Sequence, residues 1–286
     1  MKTLIRTYRP EGGHWVGDGF PVRTLFNYGP GADKVSPFLL FDHAGPTEFE
    51  PADKPRGVGS HPHRGFETVT IVYDGEVSHR DSGGNGGTIG PGDVQWMTAA
   101  SGVVHEEFHS EAYTKTGGPF HMVQLWVNLP AKDKMTTPRY QSILKTATPT
   151  IDLNSMGATA RIIAGEFNGV SGPADAFTPV DLWDVRLPKG ADVSLPMKDG
   201  HTSMLAVLKG AIKVAGQPVG PSEIASLSRE NAGVHVTADD DSVVLVLGGE
   251  PIPEPVFGHG PFVMNNRQEI IQAFQDFEAG RFGGIA

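Results

Sequence analysis

The sequence contains no cysteine. Disulfides, thiolate nucleophiles, Cys-ligated zinc and iron-sulfur clusters are therefore excluded, and any metal must be held by His, Asp or Glu. Basic residues are also few: 23 Lys and Arg against 33 Asp and Glu leave a formal charge of -10, with no Lys/Arg-rich run. A surface that tracks phosphates is disfavoured, so direct nucleic-acid binding is not expected. No apolar run reaches 18 residues, and residues 1–15 lack the apolar core and cleavage site of a secretory signal. The expectation is a soluble cytoplasmic protein without membrane contact.

Turn chemistry, by contrast, is abundant. Thirty-seven Gly and 23 Pro are spread between short apolar runs and form no low-complexity tract. Runs rich in β-branched residues at 68–73, 94–97, 122–129, 182–187, 204–208, 211–214 and 242–247 predict strands of sandwich or barrel modules. Two stretches share a pattern. V-T-I-V-Y-D-G-E-V around Gly75 precedes G-P-G-D-V-Q-W-M, and L-A-V-L-K-G-A-I-K-V around Gly210 precedes G-P-S-E-I-A-S-L. Each reads strand, Gly turn, strand, Gly-Pro turn, strand, which points to a duplicated β-module offset by about 130 to 135 residues. Residues 130–149, with three prolines and four basic residues, supply the connector between domains at 1–132 and 133–286. Near the end Asn266 can cap a short packing helix in which Ile270, Ile271, Phe274 and Phe277 recur at helical spacing, with Gly280 as its stop.

The chemistry concentrates in G-S-H-P-H-R-G-F-E, residues 59–67. Residues two apart in a strand share a face, so His61 and His63 can present both imidazoles to one point, and Pro62 between them suits a strand end or edge. A second pair follows. G-V-V-H-E-E-F puts His105 and Glu107 on one face and Glu106 on the other. Converging inside one barrel, the two pairs form an N3O donor set for one divalent transition metal: iron, manganese, nickel, copper or zinc. Spacing alone does not choose among these. A six-coordinate ion would keep two positions open for substrate or dioxygen. Glu67 shares the parity of His61 and His63, yet four residues of straight strand span about 13 Å, too far to share an ion without a bend.

Other features read as structural. His14, His43, His79, His109, His121, His201, His235 and His259 are assigned no place in the site. Gln124, Trp126 and Asn128 alternate with Leu125, Val127 and Leu129, which reads as a barrel strand with its Trp in a core in preference to a pocket wall with a hydrogen-bonding Gln and a stacking Trp. S-G-G-N-G-G, residues 82–87, lacks the Lys-Ser/Thr ending and following helix of a phosphate loop and reads as a hairpin.

The pattern G-x-H-x-H-x3-E, P-G-D and G-x-x-H resembles the cupin motif pair. H-P-H-R-G-F-E-T-V, G-D-V-Q-W-M-T-A, Q-L-W-V-N-L-P and P-F-L-L-F-D-H are similar to the pirin family, densely over residues 35–130 and more loosely beyond. The resemblance implies an all-β bicupin, two facing cupin β-barrels with a short C-terminal helix, with iron commonly bound in the N-terminal barrel alone. His61, His63, His105 and Glu107 match the family's ligand positions; many other cupins use the carboxylate standing here at Glu67. In the second copy, counting back from Gly210 reaches Pro196 and Lys198, which implies one metal per chain. Two functions follow from the resemblance. One is a quercetin 2,3-dioxygenase-like enzyme taking a small aromatic substrate and dioxygen, with Glu107 as the proton acceptor. The other is a regulator that senses iron oxidation state and acts through a protein partner.

Overall fold

Short β-branched runs separated by Gly and Pro leave the backbone little choice but extended segments joined by tight turns. The computed structural model describes residues 1–285; Ala286, the last residue of the second expected domain, lies outside them. Each of the seven expected strands falls on an observed one. The chain is mostly β and divides into two compact units. The first contains Gly12–Asp33, Phe38–Lys145 and the segment from Ile252 on; the second contains Met1–Glu11, Lys34–Pro37 and Thr146–Pro251.

Both units have the same internal plan, a seven-stranded and a four-stranded antiparallel sheet. In the first, Val94–Thr98, Phe66–Asp74, Gly118–Asn128 and Phe38–Phe49 are consecutive neighbours. Glu223–Leu227, Thr202–Lys209, Ser242–Gly249 and Val180–Leu187 repeat that order in the second. The turns repeat as well. Gly75 and Gly210 both have positive φ (83° and 78°), a conformation that penalises a Cβ. In the following Gly-Pro turns, Asp93 accepts from the Gly90 N–H at 3.1 Å, and Glu223 accepts from the Gly220 N–H at 2.9 Å. Gly92 and Ser222 then donate to Val72 and Val207 carbonyls, each at 2.8 Å. The duplication read from the sequence is thus reproduced bond by bond.

The four-stranded sheets differ in what they carry. In the first unit the order is Gly57–His63, Val103–His109, Val77–Asp81, Gly86–Ile89. In the second it is Asp192–Leu195, Val234–Ala238, Ile212–Val214, Gln217–Val219. Matching the pairings places Leu195, Met197, Val234 and Val236 where the first copy has His61, His63, His105 and Glu107. All four are buried in one apolar core. Counting along the chain had indicated Pro196 and Lys198; register, which flips face with every residue, corrects both by one.

The C-terminal helix, Arg267–Glu278, belongs to the first unit. The Asn266 side chain accepts from the Glu269 N–H, and the Gly280 N–H closes on the Phe277 carbonyl, as expected for cap and stop. Its packing face is narrower than the sequence implied. Ile270 and Ala273 are buried against Phe262 and Met264, with Phe274 alongside, whereas Ile271 and Phe277 are substantially exposed. The apolar positions span a wider arc than the contact covers.

One buried pair carries a stability prediction. His43 and His121 in the first unit face each other with Nε2 atoms 2.7 Å apart. Burial, then the charges of His121 and Arg23, push the His43 pKa down from 6.5 to about 3. The unfolded chain therefore binds a proton between these values that the native state rejects. The contribution is intact above about pH 6.5 and is lost on acidification. The stability difference between the wild type and His43→Gln is expected to shift by about 2–3 kcal/mol in favour of the variant between pH 7 and 4.5. Urea unfolding at both pH values measures it, and a pH-independent difference would contradict the assignment.

Candidate metal centre

Gly57–His63 is the edge strand of its sheet, the place where Pro62 can lack an N–H without breaking a ladder. Antiparallel pairing sets His105 opposite His61 and Val103 opposite His63. Between His105 and Glu107 the register shifts, a bulge that re-aims the second half of the strand. Gly57 makes the crossing possible, since a Cβ there would lie 2.2 Å from the Glu107 carbonyl oxygen.

These constraints gather three rings. Centroids are 4.9 Å apart for His61 and His63, 4.2 Å for His61 and His105, and 4.9 Å for His63 and His105. Each offers a nitrogen within 4.8 Å of the other two, close enough for one ion. Glu107 lies in a second such group, with His105 and His79. Among the described residues, the four expected ligands therefore meet as a histidine triad with Glu107 joined to it through His105. Alternation along Val103–His109 is as expected: Glu107 is buried, while Glu106 points away and accepts from Arg80 at 2.9 Å.

Hydrogen bonding fixes which nitrogens face inward. His61 Nδ1 donates to the Gly59 carbonyl at 2.8 Å, and His63 Nδ1 to the Pro261 carbonyl at 3.4 Å. Both acceptors are oxygens without protons, so Nε2 of each ring carries the lone pair. His105 Nδ1 is 3.4 Å from His79 Nδ1, and its Nε2 is buried with no hydrogen-bond partner. An orphaned buried nitrogen beside two inward lone pairs fits a divalent metal. Protonation is suppressed as well: burial, then the neighbouring His61, pushes the His63 pKa down to about 3, and burial followed by His63, His61 and His79 carries His105 well below its ordinary value. Neutral imidazole is the ligating form.

Glu107 is oriented from behind. Gln95 Nε2 donates to its Oε1 at 2.9 Å, and the Thr70 hydroxyl, which donates to Gln124 Oε1 at 2.7 Å, lies 3.3 Å from the same oxygen. Glu107 also lines a cavity.

That cavity, about 640 Å³, lies wholly in the first unit. His61, His63 and Glu107 form part of its wall, and Phe20, Tyr28, Leu40, Met122 and Trp126 give it an apolar, aromatic surface. Trp126 stacks on Phe66 at 4.2 Å and on Tyr28 at 6.0 Å, with its exposed side on the cavity. The preference for a barrel core at Gln124 and Trp126 is thus corrected in favour of the alternative, the pocket wall: both line the cavity. Alternation gives a strand two faces and does not say which one meets a void.

His109 remains structural, bonding the Gly19 carbonyl at 2.9 Å among Phe20, Phe49 and Phe120. Glu67 is buried on Phe66–Asp74, accepts from Thr98 at 2.7 Å and joins neither metal-capable group. His79 departs from its structural reading. It touches His105, and its Nε2 lies 3.2 Å from Asp81 Oδ2. The signal was present: His79 and Asp81 are themselves a His-x-carboxylate pair. Burial pushes the Asp81 pKa up, but hydrogen bonds from His79 and Asn85 outweigh it and hold the carboxyl below its usual value.

Residues 19–127 match the family model Pirin, and residues 182–283 match Pirin C-terminal cupin domain. The chain belongs to the pirin family. A relative in Pseudomonas aeruginosa, named putative quercetin 2,3-dioxygenase PA2418, is 52% identical over 282 residues, 99% of each chain. Human pirin is 38% identical, covering 89% of this pirin and 85% of its own length. The crystal structure of a quercetin 2,3-dioxygenase from Acinetobacter baumannii superimposes with a TM-score of 0.97 at 50% identity, over the full length of both chains. Two cupin domains and a histidine cluster able to hold a metal are therefore features of this pirin. No helix among the described residues is long and apolar enough to cross a membrane.

Proposed function

We propose that this pirin is a metal-dependent dioxygenase acting on quercetin-type flavonols or similar aromatic enediol-like substrates. One metal, iron in the first instance, is held by His61, His63, His105 and Glu107 in the first unit; the second unit binds none. The observation that carries the reading is the triad itself: three rings with Nδ1 engaged elsewhere and Nε2 available, at the wall of an aromatic cavity. The names of close full-length relatives point to the same chemistry.

When bound, the metal supplies a Lewis acid that lowers the pKa of a coordinated hydroxyl and positions available for dioxygen. The chain does the rest. Trp126, Tyr28 and Phe20 give flat substrate rings an apolar, aromatic wall that excludes water. Gln124 offers its amide N–H groups to an oxygen on the substrate, because its Oε1 is taken by Thr70. Glu107 Oε2 accepts the proton of the substrate hydroxyl while Gln95 holds Oε1. We place the enzyme in the cytoplasm.

Aerobic incubation of the metallated protein with quercetin tests the reading. Loss of flavonol absorbance with release of carbon monoxide is the expected outcome. No turnover, together with a protein-partner affinity that follows the oxidation state of bound iron, would replace the enzyme by the regulator.

A further inference from the structure

Behind the triad runs a second line of side chains on the same sheet. Pairing aligns His105 with Asp81 and Glu107 with His79, so His79 and Asp81 face inward beside the strand that carries two of the expected ligands. Both are buried, at 1% and 5% exposure. Asp81 Oδ1 accepts from the Gly83 and Asn85 N–H groups at 2.9 and 3.0 Å, and the Asn85 amide reaches both carboxylate oxygens at 3.1 Å. A carboxylate receiving this many donors is an acceptor only. His79 Nε2 therefore carries a hydrogen and donates to Asp81 Oδ2. In the neutral ring Nδ1 is then a lone pair, and the group facing it, His105 Nδ1, must be the donor. The proton on His105 is held at Nδ1, and Nε2 is left bare toward His61 and His63.

We infer that His79 and Asp81 are positioning residues: a relay of two hydrogen bonds that fixes the tautomer and ring orientation of His105, so that Nε2 is available for a metal before any metal arrives. This rests on the triad being the metal centre. Three further observations fit it. His79 is clamped flat against Tyr140, rings 4.7 Å apart and 12° from parallel, so its edge cannot swing away. Tyr140 in turn bonds Gln95, the residue that holds Glu107. In the second copy, where Val234 replaces His105, the position of His79 is taken by Val214, buried in the apolar core. The relay accompanies the triad and is missing where the triad is missing.

The first test needs no metal. Imidazole nitrogen NMR of the metal-free protein should show His105 protonated at Nδ1, and His79→Phe, which keeps the stack on Tyr140 but offers no acceptor, should populate the Nε2–H form. The second test titrates the full chain with Co(II) against a chelator. His79→Phe is expected to weaken binding about 10- to 100-fold, the usual cost of removing a partner behind a ligand. His79→Gln can accept with its oxygen and donate with its nitrogen, and should recover most of that loss. Asp81→Asn should behave like His79→Phe; because Asp81 also ties the turn at Gly83 and Asn85, circular dichroism accompanies it, and the His79 variants, which leave that turn intact, decide the matter. Wild-type affinity in His79→Phe, or a dominant Nε2–H tautomer of His105 in the wild type, would overturn the relay. Failure of the wild type to bind Co(II) would instead overturn the triad as a metal centre.

Discussion

His63→Ala and His105→Ala are each expected to cut the metal carried by the purified protein from one equivalent per chain to on the order of a tenth or less. The triad is a minimal set: among the described residues, His105 is the one His, Asp or Glu whose ligand atom lies within 4.8 Å of those of both His61 and His63. Removing one leaves two rings and a carboxylate that is itself directed partly by Gln95. The fold should survive. Val103–His109 is paired on both sides, to Gly57–His63 and to Val77–Asp81, and backbone ladders do not depend on the ring. Truncating a buried side chain here costs about 1–3 kcal/mol, less than typical domain stability. His105→Ala also strips His79 Nδ1 of its partner, so it should be the more destabilised of the two. Elemental analysis of protein purified without added metal, with circular dichroism as the control for folding, measures both effects. Metal content equal to wild type in either variant would remove that residue from the site.

The parts of this site that are local in sequence were legible before the fold was known. His61 with His63 and His105 with Glu107 follow from strand parity alone, and Pro62 marks the edge strand that presents the first pair. What parity could not supply was the second end of each hydrogen bond. His63 Nδ1 finds Pro261, and Arg64 beside it bonds Asp276 of the C-terminal helix at 2.8 Å, so residues from the far end of the sequence steady the motif within the same unit. His79 and Asp81 were readable as a pair, yet their meaning depends on a register that sets them against Glu107 and His105. The same limit explains the second copy, where counting residues lands one position off because the stretch from Leu195 to Gly210 is one residue longer than that from His61 to Gly75. Trp126 illustrates a different limit. Its alternation with Leu125 and Val127 fixed its face, but only packing reveals that this face borders a cavity.

Glu107→Gln is the substitution that separates holding the metal from moving a proton. Gln keeps the oxygen that accepts from Gln95 and nearly the same volume, so the side chain should stay where it is. What disappears is the charge and the basic oxygen on the cavity side. With all three imidazoles in place the variant should still bind metal, although more weakly, since one anionic donor is gone. Turnover of a flavonol is expected to fall by about 10²- to 10⁴-fold in kcat/KM, the range associated with loss of a positioned base. Offering the substrate already ionised, at higher pH, should recover part of the rate. Metal content near wild type combined with depressed, pH-rescuable turnover supports the base. Undiminished turnover at neutral pH would take Glu107 out of the mechanism and leave proton transfer to solvent.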